Sequence, residues 1–266
     1  MIPDFGHKHI SGLIWLFALI IIALAVLLTI RKKRNLGESF DRAVIRYTCY
    51  LMWLGEIVKT FRMVNYDDYG PIGYYPLWMA PFHICSMALY AYIILGSKRI
   101  NGKIVDWVKP FGFAVTILVT SILLVMPSAA SILNGPDNWS FCFDNILPYQ
   151  AWVYHGLIFF APMYMVLSGF YRPKWCDIYK AGVVAIVCAA GAQALNYGFE
   201  GSNADFMTLR YGYGNPFAFL IEISPILYVG VLAAIVIAGE AVIIAITIGI
   251  RALVDKKKRK SDAVAG

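Results

Sequence analysis

An uncharged apolar run, Ile10–Ile30, leads directly into the basic sequence RKKR. A helix needs about 20 mostly apolar residues to cross a bilayer, and this run is long enough. The rest of the chain agrees, because 60% of the residues are hydrophobic and only 15% are charged. That balance is typical of a polytopic membrane protein rather than a soluble domain. We therefore predict an all-α membrane helix bundle.

Seven segments are predicted to cross the membrane. The second carries several charges, and the last is long enough that Pro225 should break it near one end. The segments are Ile10–Ile30, Ala43–Met63, Leu77–Gly96, Phe111–Met126, Gln150–Phe170, Ile178–Tyr197 and Phe217–Ile250. Together they predict one transmembrane domain over residues 1–266, with a basic tail at 251–266.

The basic residues predict the orientation of the bundle. With seven spans, nineteen of the 23 Lys and Arg residues fall on one side of the membrane and four on the other. Because Lys and Arg concentrate on the cytoplasmic side, the amino terminus is predicted outside and the carboxyl terminus in the cytoplasm of a cell-membrane protein. Anchoring to anionic phospholipid explains the net charge of +7, so we expect no nucleic-acid partner. The oligomeric state stays open.

Polar residues of five predicted helices converge on the outer half of the membrane. At about 1.5 Å of rise per residue, His83 is expected about 9 Å below the surface and His155 about 7–8 Å. The other members of this set are Glu56, Gln193, Asn196 and Glu222, with Asn203 and Asp205 directly after the sixth helix. Ionisable groups at such depth are costly and usually face a cavity. The pattern predicts an outward-facing polar pocket.

Each of these residues also has a plainer interpretation. The two histidines could hydrogen-bond neighbouring helices, as polar side chains do in membrane bundles. Glu56 is expected to pair with Lys59 or Arg62 rather than to act in catalysis. Glu222 could extend to the membrane interface. No metal-type cysteine spacing is present, and neither a metal nor another cofactor is expected.

The stretch PFHICS within the third predicted helix suggests nucleophilic chemistry. On a helix, Cys85 would point about 200° away from His83, whereas Ser86 would share the face of His83. We therefore favour His83 as a base or oxyanion donor, with Cys85 turned towards a neighbouring helix. The alternative is a Cys85 nucleophile that His155 activates from across the bundle.

The motifs Pro81-Phe82-His83-Ile84-Cys85, His155-Gly156 and Gly201-Ser202-Asn203 resemble those of a membrane protein family. This family comprises the bacterial YwaF-like proteins and, more distantly, human transmembrane protein 164, a phospholipid acyltransferase. The resemblance implies that His83 and His155 are active-site histidines. In the human branch a nucleophilic cysteine precedes the first histidine, and here that position is Phe82. Cys85, Ser86 or water would have to replace it.

Two functions are compatible with these residues. The first is a histidine-dependent phospholipid acyltransferase or lipid ester hydrolase, because a histidine titrates near working pH and relays protons. The alternative is a non-catalytic membrane protein that binds or transports a lipid or solute. Solute transport is disfavoured by the lack of an inverted repeat. A retinal photoreceptor is excluded because the seventh helix has no lysine for a Schiff base.

Overall fold

The computed structural model describes residues 7–65, 71–125, 146–199, 204–212 and 215–265. Within these ranges every regular element is helical, which confirms the all-α fold. The helices are α1 (His7–Lys33), α2 (Glu38–Asn65), α3 (Met87–Gly96), α4 (Gly102–Val125), α5 (Ile146–Leu167), α6 (Asp177–Gly198), α7 (Phe219–Ile223) and α8 (Pro225–Ala265). Two single 3₁₀ turns lie at Leu77–Met79 and Phe206–Thr208.

Four of the described helices are long and apolar enough to cross a membrane, which identifies a membrane protein. They provide the segments Ile10–Lys33, Gly102–Ser121, Asp177–Gly198 and Pro225–Lys256. Helix α2 carries several charges, and α3 has only 10 residues. The seven-span arrangement and the placement of the two termini therefore stay predictions.

The predicted third span is wrong in its first half. Residues 80–86 (the 80–86 segment) have an irregular backbone, and the helix begins only at Met87. Pro81 accounts for the start of this segment, because it lacks an N–H and disfavours a helical residue before it. Ala80 is accordingly extended, with ψ 150°. The depth of His83 expected for a helix that begins at Leu77 therefore does not apply, whereas its 200° separation from Cys85 stays a prediction, since the N–H groups of Ser86 and Met87 bond to the His83 carbonyl oxygen as in a helical turn.

The last predicted span is interrupted at Pro225, as expected. Helix α7 ends at Ile223, Ser224 is extended with φ −166° and ψ 119°, and Pro225 begins α8. Proline suits the first helical position because the N–H that it lacks would have no partner there. Helix α8 continues as far as Ala265, so the basic tail is helical over its described length.

A buried carboxylate joins three helices at the end of the bundle that carries the RKKR sequence (the basic end). Asp41 is 1% exposed and accepts hydrogen bonds from Arg31 Nε at 2.7 Å and Arg31 Nη2 at 2.9 Å. The hydroxyl of Tyr164 donates to Asp41 Oδ1 at 2.8 Å. These contacts link α1, α2 and α5, because each helix supplies one of the three residues.

The main core lies between α2, α3, α4, α5 and α6. Its most tightly packed contact joins α2 and α3, where a Cβ on Gly96 would lie 2.8 Å from the backbone Cα of Arg46. Only glycine permits that approach. Nearby, the buried Tyr92 hydroxyl donates to the carbonyl oxygen of Ile158 on α5 at 3.0 Å. This packing fixes α2 and α5 side by side, and the candidate site lies along their shared end.

Candidate functional site

A group of polar side chains lies at the opposite end of the bundle, where α2 and α5 meet the 80–86 segment. We call it the polar cluster, and its members are Glu56, Lys59, Tyr75, Cys85, Ser86, Tyr154 and His155. Helices α2 and α5 are in contact at this level. A Cβ on Gly55 would lie 3.4 Å from the Gln150 amide of α5, an ordinary van der Waals distance.

Lys59 connects α2 to the chain that precedes the 80–86 segment. Its ammonium forms an ion pair with Glu56 at 2.5 Å and donates a hydrogen bond to the carbonyl oxygen of Met79 at 3.1 Å. The Glu56 residue is 5% exposed. The expectation that Glu56 pairs with Lys59 or Arg62 is thus confirmed for Lys59. The ion pair offsets the cost of burying the carboxylate.

One ring nitrogen of His155 forms a hydrogen bond, and the other is available as a hydrogen-bond acceptor. Its Nδ1 lies 2.7 Å from the carbonyl oxygen of Ala151. A carbonyl can only accept, so Nδ1 carries a proton and Nε2 is the acceptor of the neutral ring. Nε2 is enclosed and has no hydrogen-bond partner in the described part of the chain. The Lys59 ammonium lies in electrostatic range of the ring.

Tyr154, which directly precedes His155 on α5, lies near the candidate nucleophiles. Its hydroxyl is enclosed and lies near Cys85 and Ser86, without a hydrogen bond of good geometry. The Cys85 sulfur is 4.0 Å from the Ser86 hydroxyl oxygen, and Lys59 is within its electrostatic range. The Tyr154 and His155 rings are edge to face at 5.6 Å. Lys59 is thus within electrostatic range of both His155 and Cys85.

Tyr75 reaches the cluster from the loop that precedes the Leu77–Met79 turn. Burial raises the pKa of its phenol, and the Glu56 carboxylate adds to the shift, while a hydrogen bond with Thr60 opposes it. The phenol therefore stays protonated at neutral pH and can act only as a neutral hydrogen-bonding group.

His83 and Phe82 occupy the middle of the 80–86 segment. The carbonyl oxygen of His83 accepts hydrogen bonds from the backbone N–H groups of Ser86 and Met87. Phe82 packs edge to face on Phe206 at 5.1 Å. The position that holds a cysteine in the human branch is therefore part of an apolar contact. The approach of His83 to His155 within 10 Å stays a prediction.

Two other candidates shape a neighbouring loop instead of joining the polar cluster. Asn196 is fully buried, donating to the carbonyl oxygen of Phe206 at 3.1 Å and accepting from its N–H at 2.7 Å. Asp205 accepts backbone N–H groups from Arg210 and Tyr211 at 2.7 and 3.0 Å. Both side chains thus hold the 204–212 loop against the end of α6.

The remaining candidates fall elsewhere. Glu222 is exposed on α7, and Asn203 lies outside the described residues. Gln193 borders an apolar cavity of about 560 Å³ between α6 and α8, which Ile84 of the 80–86 segment also lines. In the described ranges, no three His, Cys, Asp or Glu side chains are grouped as metal ligands.

Sequence reasoning did not select Lys59, Tyr75 or Tyr154 as site residues. The position of Lys59 inside a predicted span was a signal that could have selected it, because a charged side chain at membrane depth needs a partner. Tyr154 directly precedes His155, but aromatic residues are common in apolar helices, so nothing in the sequence distinguishes it. The loop that carries Tyr75 could not be placed without the fold.

Comparisons with known proteins give the family but no close relative. No curated protein and no solved structure matches the chain. The likeness to bacterial YwaF-like proteins stays a resemblance. The TMEM164 family matches residues 5–247, which is most of the chain. The protein is therefore a membrane protein that belongs to the TMEM164 family.

Proposed function

We propose that the protein is a histidine-dependent acyltransferase or ester hydrolase that acts on phospholipids of the cell membrane. One observation carries the proposal: His155 offers an enclosed, unpartnered Nε2 acceptor in the same cluster as a thiol and three hydroxyl groups. A buried polar atom without a partner is costly, and such costs are typical of functional sites. The chemistry of the cluster suits proton transfer to and from an oxygen or sulfur nucleophile.

Cys85 is the proposed nucleophile. Phe82 fills the position of the cysteine in the human branch, so a covalent route needs another residue of the same segment. Cys85 adjoins Ser86 and lies near Tyr154, which directly precedes His155 on α5. His155 is the proposed base, since its Nε2 can accept the thiol proton.

The reaction would proceed through a thioester. The Cys85 thiol gives its proton to His155 Nε2, and the sulfur forms a bond to the ester carbonyl carbon of a phospholipid. The carbon–oxygen bond to glycerol breaks, and the leaving oxygen takes the proton from His155. An acceptor lipid hydroxyl, or water, then gives its proton to His155 and attacks the thioester. The thiolate leaves and recovers that proton, so the acyl chain ends on the acceptor or as a free acid.

Lys59 and Tyr154 are the proposed donors to the developing oxyanion. An ammonium has three N–H donors; Lys59 directs one at the carbonyl oxygen of Met79 and is held beside Glu56 by an ion pair. The enclosed Tyr154 hydroxyl supplies a neutral donor. Donors held in place in a dry site stabilise negative charge more strongly than water does.

Acyl exchange by the purified full-length chain tests the proposal. The protein is incubated in nanodiscs with a phospholipid carrying deuterated acyl chains and a lysophospholipid acceptor, and mass spectrometry follows the label. His155→Gln should lower the rate by at least about 10²-fold, as for the loss of a positioned base. Cys188→Ala, which removes a half-buried thiol packed against the core, is the matched control for Cys85→Ala and should be active.

A non-catalytic lipid-binding protein is the second candidate. The apolar cavity between α6 and α8 favours it, because such a cavity needs no reacting group to hold a lipid. The same assay separates the two functions. Lipid that co-purifies with the chain but is never exchanged or hydrolysed would support binding alone.

A further inference from the structure

The cavity between α6 and α8 extends along both helices. On α6 its lining runs from Ala185 to Gln193, a rise of about 12 Å. On α8 it runs from Val229 to Ile237 in the opposite direction, as the contact of Gly182 with Ile237 at the far end confirms. The shape is therefore an elongated slot parallel to the helix axes.

Polar groups are concentrated at one end of this slot. Gln193, Thr208 and Asn215 line the end nearest the 204–212 loop, whereas the rest of the lining is almost entirely aliphatic. Gln193 Oε1 accepts a hydrogen bond from Asn196 at 3.3 Å, which orients the amide. The NH₂ group of Gln193 can therefore donate a hydrogen bond to a ligand at this end of the slot.

The slot is joined to the polar cluster through the 80–86 segment. Ile84 lines the cavity, and the next residue is Cys85. Phe82 packs in one apolar group with Ala189 and Val229, which also line the slot. The same short segment thus presents apolar atoms to the cavity and the thiol to the cluster.

The slot also opens sideways, towards the apolar surroundings of the bundle. Its lining residues Ile186 and Ile235 are 53% and 41% exposed. Gly230, at the same level as Ala189, is exposed as well, and a Cβ there would meet no atom within 4 Å. A ligand could therefore enter from the bilayer without passing through water.

We propose that this slot is an acyl-chain site, which binds one fatty-acyl chain of a membrane phospholipid with its ester at the Gln193 end. A polar solute is excluded because the aliphatic lining would leave its polar groups without partners. The volume lies within the range of small-ligand sites, roughly 300–1,000 Å³. The assignment rests on the proposed function, and the slot is the substrate pocket of that function. Position 230 then helps to determine which acyl chains bind.

Photo-labelling tests the site independently of turnover. The full-length protein in nanodiscs is irradiated with a phosphatidylcholine that carries a diazirine near the end of one acyl chain. Mass spectrometry then maps the labelled peptides. We expect a higher labelling yield on the slot-lining parts of α6 and α8 than on α1. Ile14 and Ile22 of α1 face outward, so labelling of α1 measures ordinary contact with lipid.

Two glycine variants give a matched comparison. Gly230→Leu places a side chain in the slot and should reduce labelling there by about tenfold, because the leucine occupies volume that the acyl chain would fill. Gly191→Leu adds the same side chain on α6 at an exposed glycine outside the slot lining, also with no atom within 4 Å, and should leave labelling unchanged. Equal labelling of both variants, or equal labelling of α1 and the slot, would overturn the assignment.

The site and the proposed function fail in different ways. Slot labelling in a protein that never exchanges or hydrolyses lipid would keep the acyl-chain site and reject the enzyme. Turnover with the same labelling of Gly230→Leu and Gly191→Leu would keep the enzyme and reject the site. When both hold, Gly230→Leu should shift turnover towards shorter chains, because the added side chain narrows the slot.

Discussion

The Lys59 ammonium donates a hydrogen bond to the Met79 carbonyl oxygen, 3.1 Å away, although twenty residues separate the two along the chain. This bond attaches helix α2 to the turn that leads into the 80–86 segment. The same ammonium forms the ion pair with Glu56. Lys59 therefore determines both the charge balance of the polar cluster and the position of the segment that carries His83 and Cys85.

Replacing Lys59 by methionine should destabilise the fold. The change leaves the Glu56 carboxylate buried without its partner and removes the bond to Met79. Breaking a buried ion pair from one side typically costs about 3 kcal/mol or more. The free energy of unfolding, measured in detergent by denaturant titration, should fall by about that amount.

The double variant Lys59→Met/Glu56→Gln is the control for this prediction. It removes both charges, so the penalty of an unpaired carboxylate disappears and more than half of the lost stability should return. If the double variant is as unstable as Lys59→Met alone, the ion pair does not explain the effect, and the bond to Met79 becomes the main contribution.

At the basic end, Asp41→Asn should cost about 2 kcal/mol of unfolding free energy, since two charge-assisted bonds from Arg31 and one from Tyr164 are weakened. Glu38→Gln is the matched control, because Glu38 pairs with Arg42 on the exposed surface. It should change the unfolding free energy by less than about 1 kcal/mol. Similar losses in the two variants would contradict the role of burial.

We expect the protein to lose stability at alkaline pH because Tyr171 must stay protonated in the folded state. Its hydroxyl donates to Asp177 at 2.9 Å, and burial together with the Asp177 carboxylate raises the pKa of the phenol. The folded state therefore favours the protonated phenol. Its contribution is complete below the unfolded pKa of about 10 and declines as the pH rises above that value.

Unfolding curves collected between neutral pH and pH 11 check this dependence. Tyr171→Phe should be less stable than the parent at neutral pH and should show a smaller decline above about pH 10. Tyr179→Phe, at an exposed tyrosine on α6, should follow the parent. An unchanged alkaline decline in Tyr171→Phe would assign the effect to other groups.

Asn196→Ala should loosen the 204–212 loop, because it leaves the N–H and the carbonyl oxygen of Phe206 without their side-chain partner. We expect a loss of about 1–3 kcal/mol and faster hydrogen exchange confined to that loop. Asn65→Ala removes a single exposed bond to the Phe61 carbonyl oxygen and should have little effect. Slow exchange in the Asn196 variant would show that other contacts hold the loop.

The sequence predicts the long apolar helices well because their signal is local. The uncharged run of α1 and the break at Pro225 need no knowledge of the fold, since bilayer thickness and proline geometry dictate them. The irregular backbone at 80–86 was missed because an apolar composition suits a helix and an unwound segment equally. The helix begins only at Met87, after Pro81.

The polar cluster was predictable only in part. Glu56 and His155 were identified because ionisable groups are rare at membrane depth. Asn196 and Asp205 were selected by the same rule, yet both are satisfied by backbone groups of one loop. The rule detects buried polar residues, but only the fold separates those that hold a loop from those with an atom available to a ligand.

In the proposed mechanism an acyl group passes through Cys85, with His155 as its base. The test uses protein acid-quenched during a single turnover with labelled phospholipid and analysed by mass spectrometry. We expect a hydroxylamine-sensitive acyl group on Cys85 in the parent and in Cys188→Ala, and none in His155→Ala. Turnover without any acyl group on Cys85, together with an active Cys85→Ala and an inactive His83→Ala, would contradict it and assign the chemistry to His83 and water.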